Sequence, residues 1–465
     1  MINFNFFLKS ALTTLNCLHT IPNVIKWLEN KKNETFVQIE LIDFKEMKDW
    51  IFNKDNGYLM HKSGSFFSIQ GINVKTNWGS IPEWEQPIIN QPEIGYLGII
   101  TKEFEGTLYF LLQAKIEPGN INLVQLSPTL QATKSNYELK HHGKKPLYLN
   151  YFQNAKNEQI LLNQLQSEQG ARFLKKRNRN IIIKIDEKIE VAENFIWLTL
   201  GQIKELLKFD NIINMDTRTV ISGIPFYFDE IENLKHLLPK ENTYNFTMIQ
   251  STFTSNESLH SFDIILNWVT KLKCAFELEI TPKSLKTLNN WIITENKIKH
   301  VNELYFKIIA TNVTINNREV AQWNQPLVLP LQHGVFAFII AKIKDVYHFL
   351  VQGKVEPGNF DIIEMAPTVQ CITGSYNDYS DVPFLKEVMQ ASHDQIRYDT
   401  LQSEEGGRFY QEQNRNMIIE IDEFSSVDLP ENYIWISLNQ LTFFLKFNNY
   451  LNIQTRSLIS SIQFI

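Results

Sequence analysis

The chain has 465 residues, 43% hydrophobic and 21% charged, with 32 Phe and 9 Trp, which is material for roughly two to four globular cores. A formal net charge of −6, from 45 basic and 51 acidic residues, excludes a nonspecific nucleic-acid coat. Cys17, Cys274 and Cys371 lack CxxC spacing and form no disulfide framework or metal finger, and no apolar run approaches the ~18 residues of a membrane span. A soluble, cytoplasmic protein is expected, with neither nucleic acid nor membrane as partner.

In chain order, the opening MINFNFFLKSALTTL lacks the basic start and cleavage site of a signal peptide. It is expected as an amphipathic helix in an extension over residues 1–17. Alternating patterns predict strands at Phe36–Ile42, Phe66–Val74, Leu108–Ile116 and Val346–Val355. The Pro-Gly of Gln113–Asn120 (QAKIEPGN) predicts a strand-ending turn, with glycine supplying tolerance of positive φ. Helical spacing appears at Thr199–Phe209 and Ser437–Phe447, and the Asn-, Thr- and Ser-rich stretch from Phe226 to about Glu257 reads as a connector. No Gly-rich dinucleotide or phosphate loop follows a strand. The fold class expected is α+β, with short strands in a mixed sheet flanked by helices.

The same sentence is written twice. Leu165–Asn180 (LQSEQGARFLKKRNRN) and Leu401–Asn416 (LQSEEGGRFYQEQNRN) share 10 of 16 positions. Trp84-x-Gln86-Pro87 recurs as Trp323-x-Gln325-Pro326, QAKIEPGN as QGKVEPGN at Gln352–Asn359, and Asp216–Ile221 (DTRTVI) as Gln454–Ile459 (QTRSLI). The offset stays between 236 and 241, far longer than a solenoid repeat. Two repeats are therefore expected at 18–226 and 259–465, joined by a linker at 227–258.

Glu168 and Glu404 stand four residues before Arg172 and Arg408. If helical, each pair is an i,i+4 bridge; otherwise Arg grips a phosphate or carboxylate while Glu exchanges protons. A glycine pair inside a helix costs about 1–2 kcal/mol, so the backbone is expected to approach something closely there. The two Trp-x-Gln-Pro motifs are core tryptophans or pocket walls that stack on a base. Lys115 and Lys354 are solvent-facing or pocket cations, and His61, aligned with His300, caps a turn or works as acid–base near neutral pH. His141-His142-Gly143 occurs only in the first copy and reads as loop.

Glu404-Glu405-Gly406-Gly407 also matches the end of a Nudix box, but Thr400-Leu401, Lys386 and Ser392 stand where the box requires Arg-Glu, Gly and Glu. Too few carboxylates remain to hold Mg²⁺ against a diphosphate, so no metal site is read.

Together the doubled W-x-Q-P, K-x-E-P-G-N, [SA]-P-T-x-Q, QSE[QE]GxRF and NRN motifs resemble the NDP-hexose 2,3-dehydratase family of deoxysugar biosynthesis, over nearly the whole chain. The resemblance implies a homodimer whose subunits each contain two Nudix-like domains from an internal duplication, each with a nucleotide-sugar pocket and one of them catalytic. It implies dTDP-4-keto-6-deoxy-glucose as substrate, no cofactor, and a 3,4-diketo-2,6-dideoxy product passed to a ketoreductase or aminotransferase. The chemistry needs a base at C3, an acid at the C2 oxygen and donors for the enolate at C4.

Charge favours the first copy, since Arg172, Lys175, Lys176, Arg177 and Arg179 against Glu168 give +4, whereas Arg408 and Arg415 against Glu404, Glu405 and Glu412 give −1. Glu168 and His61 are the expected acid–base groups and Lys115 an enolate or phosphate donor. Trp84, Gln86, Ser127, Arg172, Lys176 and Arg179 are the expected substrate contacts. The second pocket is assigned Trp323, Gln325, Lys354, Glu404, Glu405, Arg408, Tyr410 and Arg415. The counter-case places proton transfer on Glu404, Glu405 and Tyr410, with phosphate contacts borrowed across an interface. Outside this reading stand a nucleotide-sugar pyrophosphohydrolase and a noncatalytic nucleotide-sugar-binding protein.

Overall fold

The computed structural model describes residues 5–138, 145–226, 243–254, 257–316, 321–372, 378–422 and 429–464. The His141–Gly143 loop and residues 227–242 of the expected linker lie outside them.

The long apolar strands are buried on both faces. In Thr107–Ile116 (TLYFLLQAKI), Leu108, Phe110 and Leu112 enter one core while Tyr109 and Leu111 enter another. This strand sits in a seven-stranded sheet ordered Ile160–Ser167, Arg177–Lys184, Gly95–Phe104, Thr107–Ile116, Phe195–Thr199; Val124–Pro128 and Leu130–Ala132 join from the side. The pair Arg177–Lys184 and Gly95–Phe104 is parallel and the rest antiparallel, so the sheet is mixed as expected.

A second seven-stranded sheet has the same order: Ile396–Ser403, Gln413–Ile421, Gly334–Ile343, Val346–Val355, Tyr433–Ser437. Even the register shift recurs, at Ile160/Leu162 and at Ile396/Tyr398. One hydrophobic cluster spans both sheets, uniting Phe110 and Val220 with Phe349 and Leu458.

Two five-stranded sheets exchange strands between the halves. Val37–Leu41 pairs with Phe306–Ile315, which also holds Lys297–His300 and Gln322–Pro330. In return Leu278–Lys283 pairs with Ser68–Thr76, beside Leu59–His61 and Glu83–Asn90. Sheet pairing therefore crosses the boundary drawn between the repeats.

The stretch read as a connector contains helix Thr243–Phe253, with Met248 and Ile249 fully buried. Its Ser251 Oγ accepts from Tyr347 N (2.7 Å), while Ser10, on the opening helix Asn5–Ala11, donates to Leu108 O (2.6 Å). Each helix covers one large sheet, so the extension and the end of the linker do equivalent work.

The QSE motif is not helical. Strand Ile160–Ser167 ends just before Glu168, and the chain turns before Arg177–Lys184 begins, so the helical bridge has no helix to span. Close approach of the glycines is met, but by the other half of the chain. Gly119 donates to Gly406 O (2.7 Å) and Gly358 to Gly170 O (2.6 Å). A Cβ on Gly119 would fall 1.6 Å from Phe409 O, and one on Gly358 1.7 Å from Phe173 O. Neither of these glycines adopts positive φ; they are needed for proximity, not for the turn conformation expected from sequence.

Candidate active site

Because each EPGN turn docks on the opposite QSE loop, a cleft forms with walls from both halves. It encloses about 1220 Å³ and is lined by Lys115, Glu117, Lys176 and Asp216 from the first half and by Trp323, Gln325, Glu405 and Arg408 from the second. Lys115 and Glu117 lie at the end of Thr107–Ile116 and in the turn beyond it, with Lys115 Nζ 3.5 Å from Glu117 Oε1. Gln131 Nε2 donates to the same oxygen at 3.0 Å. Asp216 is set by helix Met215–Ser222, whose cap Asn214 accepts from Thr217 N at 2.9 Å.

Glu405 comes from the loop after strand Ile396–Ser403. Its Oε1 and Glu117 Oε1 lie 3.2 Å and 3.4 Å from where a Cβ on Gly407 would sit, so two carboxylates converge on this glycine. Arg408 donates to Gln91 Oε1 through Nε (3.3 Å) and Nη2 (3.1 Å), with its guanidinium 4.2 Å above the Phe67 ring. Lys176 Nζ donates to Glu93 O. On the wall, His61 meets Trp50 and Phe66 edge-on, and its Nδ1 lies 2.6 Å from Ser63 Oγ.

Burial sets the titration of these groups. Asp216 is pushed well above the usual carboxylate range, first by desolvation and then by Glu405 and neighbouring carboxyls. Glu405 is raised by desolvation, an effect opposed by Arg408. Lys176 is lowered by desolvation against the pull of Glu168 and Glu405, and His61 is lowered by desolvation. The arrangement therefore sets two carboxyls raised by burial, Asp216 and Glu405, beside the Lys115–Glu117 pair.

Of the residues expected from sequence, Lys115, His61 and Lys176 line the cleft. Glu168 does not; it is 6% exposed, its Oε1 accepts from Asn178 Nδ2 (2.7 Å), and burial raises it to about 7. Trp84, Gln86, Ser127, Arg172 and Arg179 are also absent from these walls. Trp84 Nε1 donates to Gln86 Oε1 (2.9 Å) and Gln86 Nε2 to Ala171 O (3.1 Å). Ser127 donates to Pro128 O (3.1 Å), and Arg179 donates to Asn163 (2.8 Å) and Tyr96 (3.2 Å). Arg172 crosses to the second half, 4.2 Å above Phe306.

The residues expected in a second pocket divide as well. Trp323, Gln325, Glu405 and Arg408 line the first-half cleft, with Trp323 Nε1 donating to Gln325 Oε1 (2.7 Å) and Gln325 Nε2 to Gly407 O (2.9 Å). Lys354 donates to Gln370 O (3.3 Å), Glu404 accepts from Asn414 (2.6 Å) and Gln169, and Arg415 is bidentate to Asp399 (2.8 and 2.6 Å). Tyr410 N donates to Val328 O (2.7 Å).

Comparison with known proteins agrees with this doubled layout. The family model described as NDP-hexose 2,3-dehydratase matches residues 22–224 and again 263–462. The chain belongs to the NDP-hexose 2,3-dehydratase family. It is 40% identical over 465 residues to a dTDP-4-dehydro-6-deoxy-alpha-D-glucopyranose 2,3-dehydratase of Saccharopolyspora spinosa, covering 99% of this chain and 95% of that one. Proteins of the same description from Amycolatopsis orientalis (37% identical; 97% and 92% covered) and Streptomyces violaceoruber (38%; 90% and 91%) match similarly. A solved ADP compounds hydrolase covers 38% of this chain and 94% of its own at 13% identity and TM-score 0.24, too slight a likeness to carry an argument.

For this dehydratase-family chain, the cleft residues that motif reading missed are Glu117, Gln131, Gln91 and Asp216. A signal for some of them stood in the repeat itself. Asp216 faces Gln454 in the alignment, Lys176 faces Glu412, and Glu405 faces Gln169. The cleft thus gathers positions where the two copies differ in charge. Among the described residues no helix is long and apolar enough to cross a membrane.

Proposed function

We propose that this chain is a cofactor-independent dTDP-4-dehydro-6-deoxy-glucose 2,3-dehydratase working in the cleft between Lys115–Glu117 and Glu405–Arg408. The observation that carries the reading is the convergence of Lys115, Glu117, Asp216 and Glu405 in one cleft with Lys176 and Arg408. Its support from relatives is the name shared by three proteins at 37–40% identity.

In this reading Glu117, paired with Lys115, removes the proton at C3, which the C4 ketone acidifies. Lys115 stabilises the enolate oxygen at C4. Glu405, raised by burial, protonates the C2 hydroxyl, which leaves as water, and the resulting enol takes a proton at C2 to become the 3,4-diketone. Asp216 donates a hydrogen bond to the sugar. Lys176 and Arg408 on the same walls grip the diphosphate, and Trp323 offers a face for the base. His61 shapes the wall.

The finer architecture belongs to the same proposal: two Nudix-like units from an internal duplication, spanning 18–226 and 259–465, in a cytoplasmic homodimer. The second unit keeps Lys354 and Glu356 but has Glu412 and Gln454 where the working cleft has Lys176 and Asp216, and the loop that docks on it from the first unit carries Gln169 where the other carries Glu405. The unstable product is handed to a ketoreductase or aminotransferase.

Incubation with the 4-keto substrate should release thymidine diphosphate as the diketone decays, and in deuterated water the trapped product should carry solvent deuterium at C2. Unchanged substrate overturns the reading. Mg²⁺-dependent release of a sugar phosphate would replace it with pyrophosphohydrolysis, and tight binding without turnover with a sensor.

A further inference from the structure

Helix Met215–Ser222 contributes more than Asp216. Two residues on, Arg218 is 1% exposed and reaches into the other half of the chain. Its Nε donates to Ser457 Oγ (2.8 Å), Nη1 to Ile213 O (2.6 Å) and Gln402 Oε1 (3.2 Å), and Nη2 to Ser403 O (2.5 Å). Ser403 closes strand Ile396–Ser403, two residues before Glu405. We propose that Arg218 is a positioning residue for the dehydration: it grips the strand end that delivers Glu405, and so holds that acid opposite Asp216 on the arginine's own helix. The inference rests on the assignment of Glu405 made above.

The loop has a separate anchor at its far end. Val328 N donates to Arg408 O (2.8 Å) and Tyr410 N to Val328 O (2.7 Å), while the Arg408 side chain is held by Gln91 and Phe67. Glu405 lies between the two anchors, and Arg218 supplies the near one. A guanidinium suits the task because its planar fork addresses several fixed acceptors at once, which an ammonium cannot reproduce.

The fold supplies its own control. Arg456 makes the equivalent grip, donating to Thr219 Oγ1 (2.9 Å), Leu451 O (2.6 Å) and Ser167 O. The loop it holds carries Gln169 where the other carries Glu405. Both arginines staple the halves together, but only Arg218 holds a cleft acid.

Arg218→Lys and Arg456→Lys, each in the full chain, test this through stability, kcat, KM and amide exchange. Both variants should lose similar stability. Arg218→Lys should lower kcat about 10²-fold, the scale of a small misplacement of a reacting group, with KM changed only a few-fold because Arg408 is anchored independently. Exchange at the amides of residues 404–407 should quicken in that variant alone, and Arg456→Lys should keep kcat within a few-fold. Equal loss of kcat in both variants, or unchanged exchange at 404–407 in Arg218→Lys, overturns the proposal. If Arg218→Lys does not fold, Ser457→Ala removes one acceptor of the grip and should show the same kcat and exchange changes in smaller measure; neither change would overturn it too. Exchange does not depend on turnover, so a wild-type chain that fails to dehydrate the sugar sinks the functional reading while the grip is still decided.

Discussion

Lys176 and Arg408 come from opposite copies of one motif, yet their side chains line the same cleft. Summing charge along Leu165–Asn180 grouped Lys176 with Arg172 and Arg179, which the cleft walls do not bring together. Arg177–Lys184 is a strand, and successive side chains on a strand face opposite ways. Asn178 and Asn180 are buried, while Arg179 faces Asn163 and Tyr96, so a linear tally adds charges that never share a field. Substitutions separate the cleft groups from their counterparts. Glu405→Gln should lower kcat by about 10²-fold or more, the typical weight of a general acid, whereas Glu404→Gln should stay within a few-fold; thymidine diphosphate release measures both. A charge-assisted hydrogen bond is worth about 1.5–3 kcal/mol, so Arg408→Ala should raise KM by at least about tenfold. Arg172→Ala, stripped of its packing over Phe306, should lose stability and leave KM of the folded enzyme nearly unchanged.

At the scale of elements, strands and their order of appearance were legible, because alternation survives in Phe66–Val74 and Leu108–Ile116 and the structure forms strands at Ser68–Thr76 and Thr107–Ile116. Helix Thr243–Phe253 was not legible, since its Thr, Ser, Asn and Gln residues and the polar stretch around it have the composition of a connector. The EPGN turns were seen, but the need for their glycines was misread, because the atom that excludes a Cβ belongs to a residue more than 180 positions away. Gly119→Ala and Gly358→Ala should each destabilise the chain by about 1–3 kcal/mol or more, as overpacking against backbone does. Denaturant unfolding would register it, and Gly64→Ala, whose Cβ meets nothing within 4 Å though its φ is +69°, should cost less.

At the scale of the whole molecule, the repeat disclosed which elements correspond but not which copies are neighbours. Exchanging Val37–Leu41 for Leu278–Lys283 leaves every hydrophobic pattern unchanged, so sequence periodicity is blind to it. The shared interior also concentrates buried acids. Burial pushes Glu168 and Glu364 up to about 7 and Glu404 to about 8 from an ordinary 4.5. Between those limits the folded chain holds protons that the unfolded chain has released, so stability is greatest at the acid side and falls as pH rises through 7 to 8. Lys204, pushed down to about 7 from 10.5 by burial, acts oppositely: above that pH the unfolded chain holds the extra proton, and stability recovers toward 10.5. Calorimetry should find the unfolding midpoint declining from about pH 5 to about pH 8 and recovering above it. Glu404→Gln should flatten the upper part of the decline.

The exchanged strands restrict how such a chain can diverge. In a simple tandem pair, a unit relieved of its chemistry can drift, shrink or be lost. Here residues 278–283 complete the sheet beside the first half, and Glu405 and Arg408 line the cleft that the first half opens. Deleting either half removes a strand from the other's sheet, and deleting the second also removes a wall of the cleft. Selection on that cleft therefore reaches the sequence of both halves.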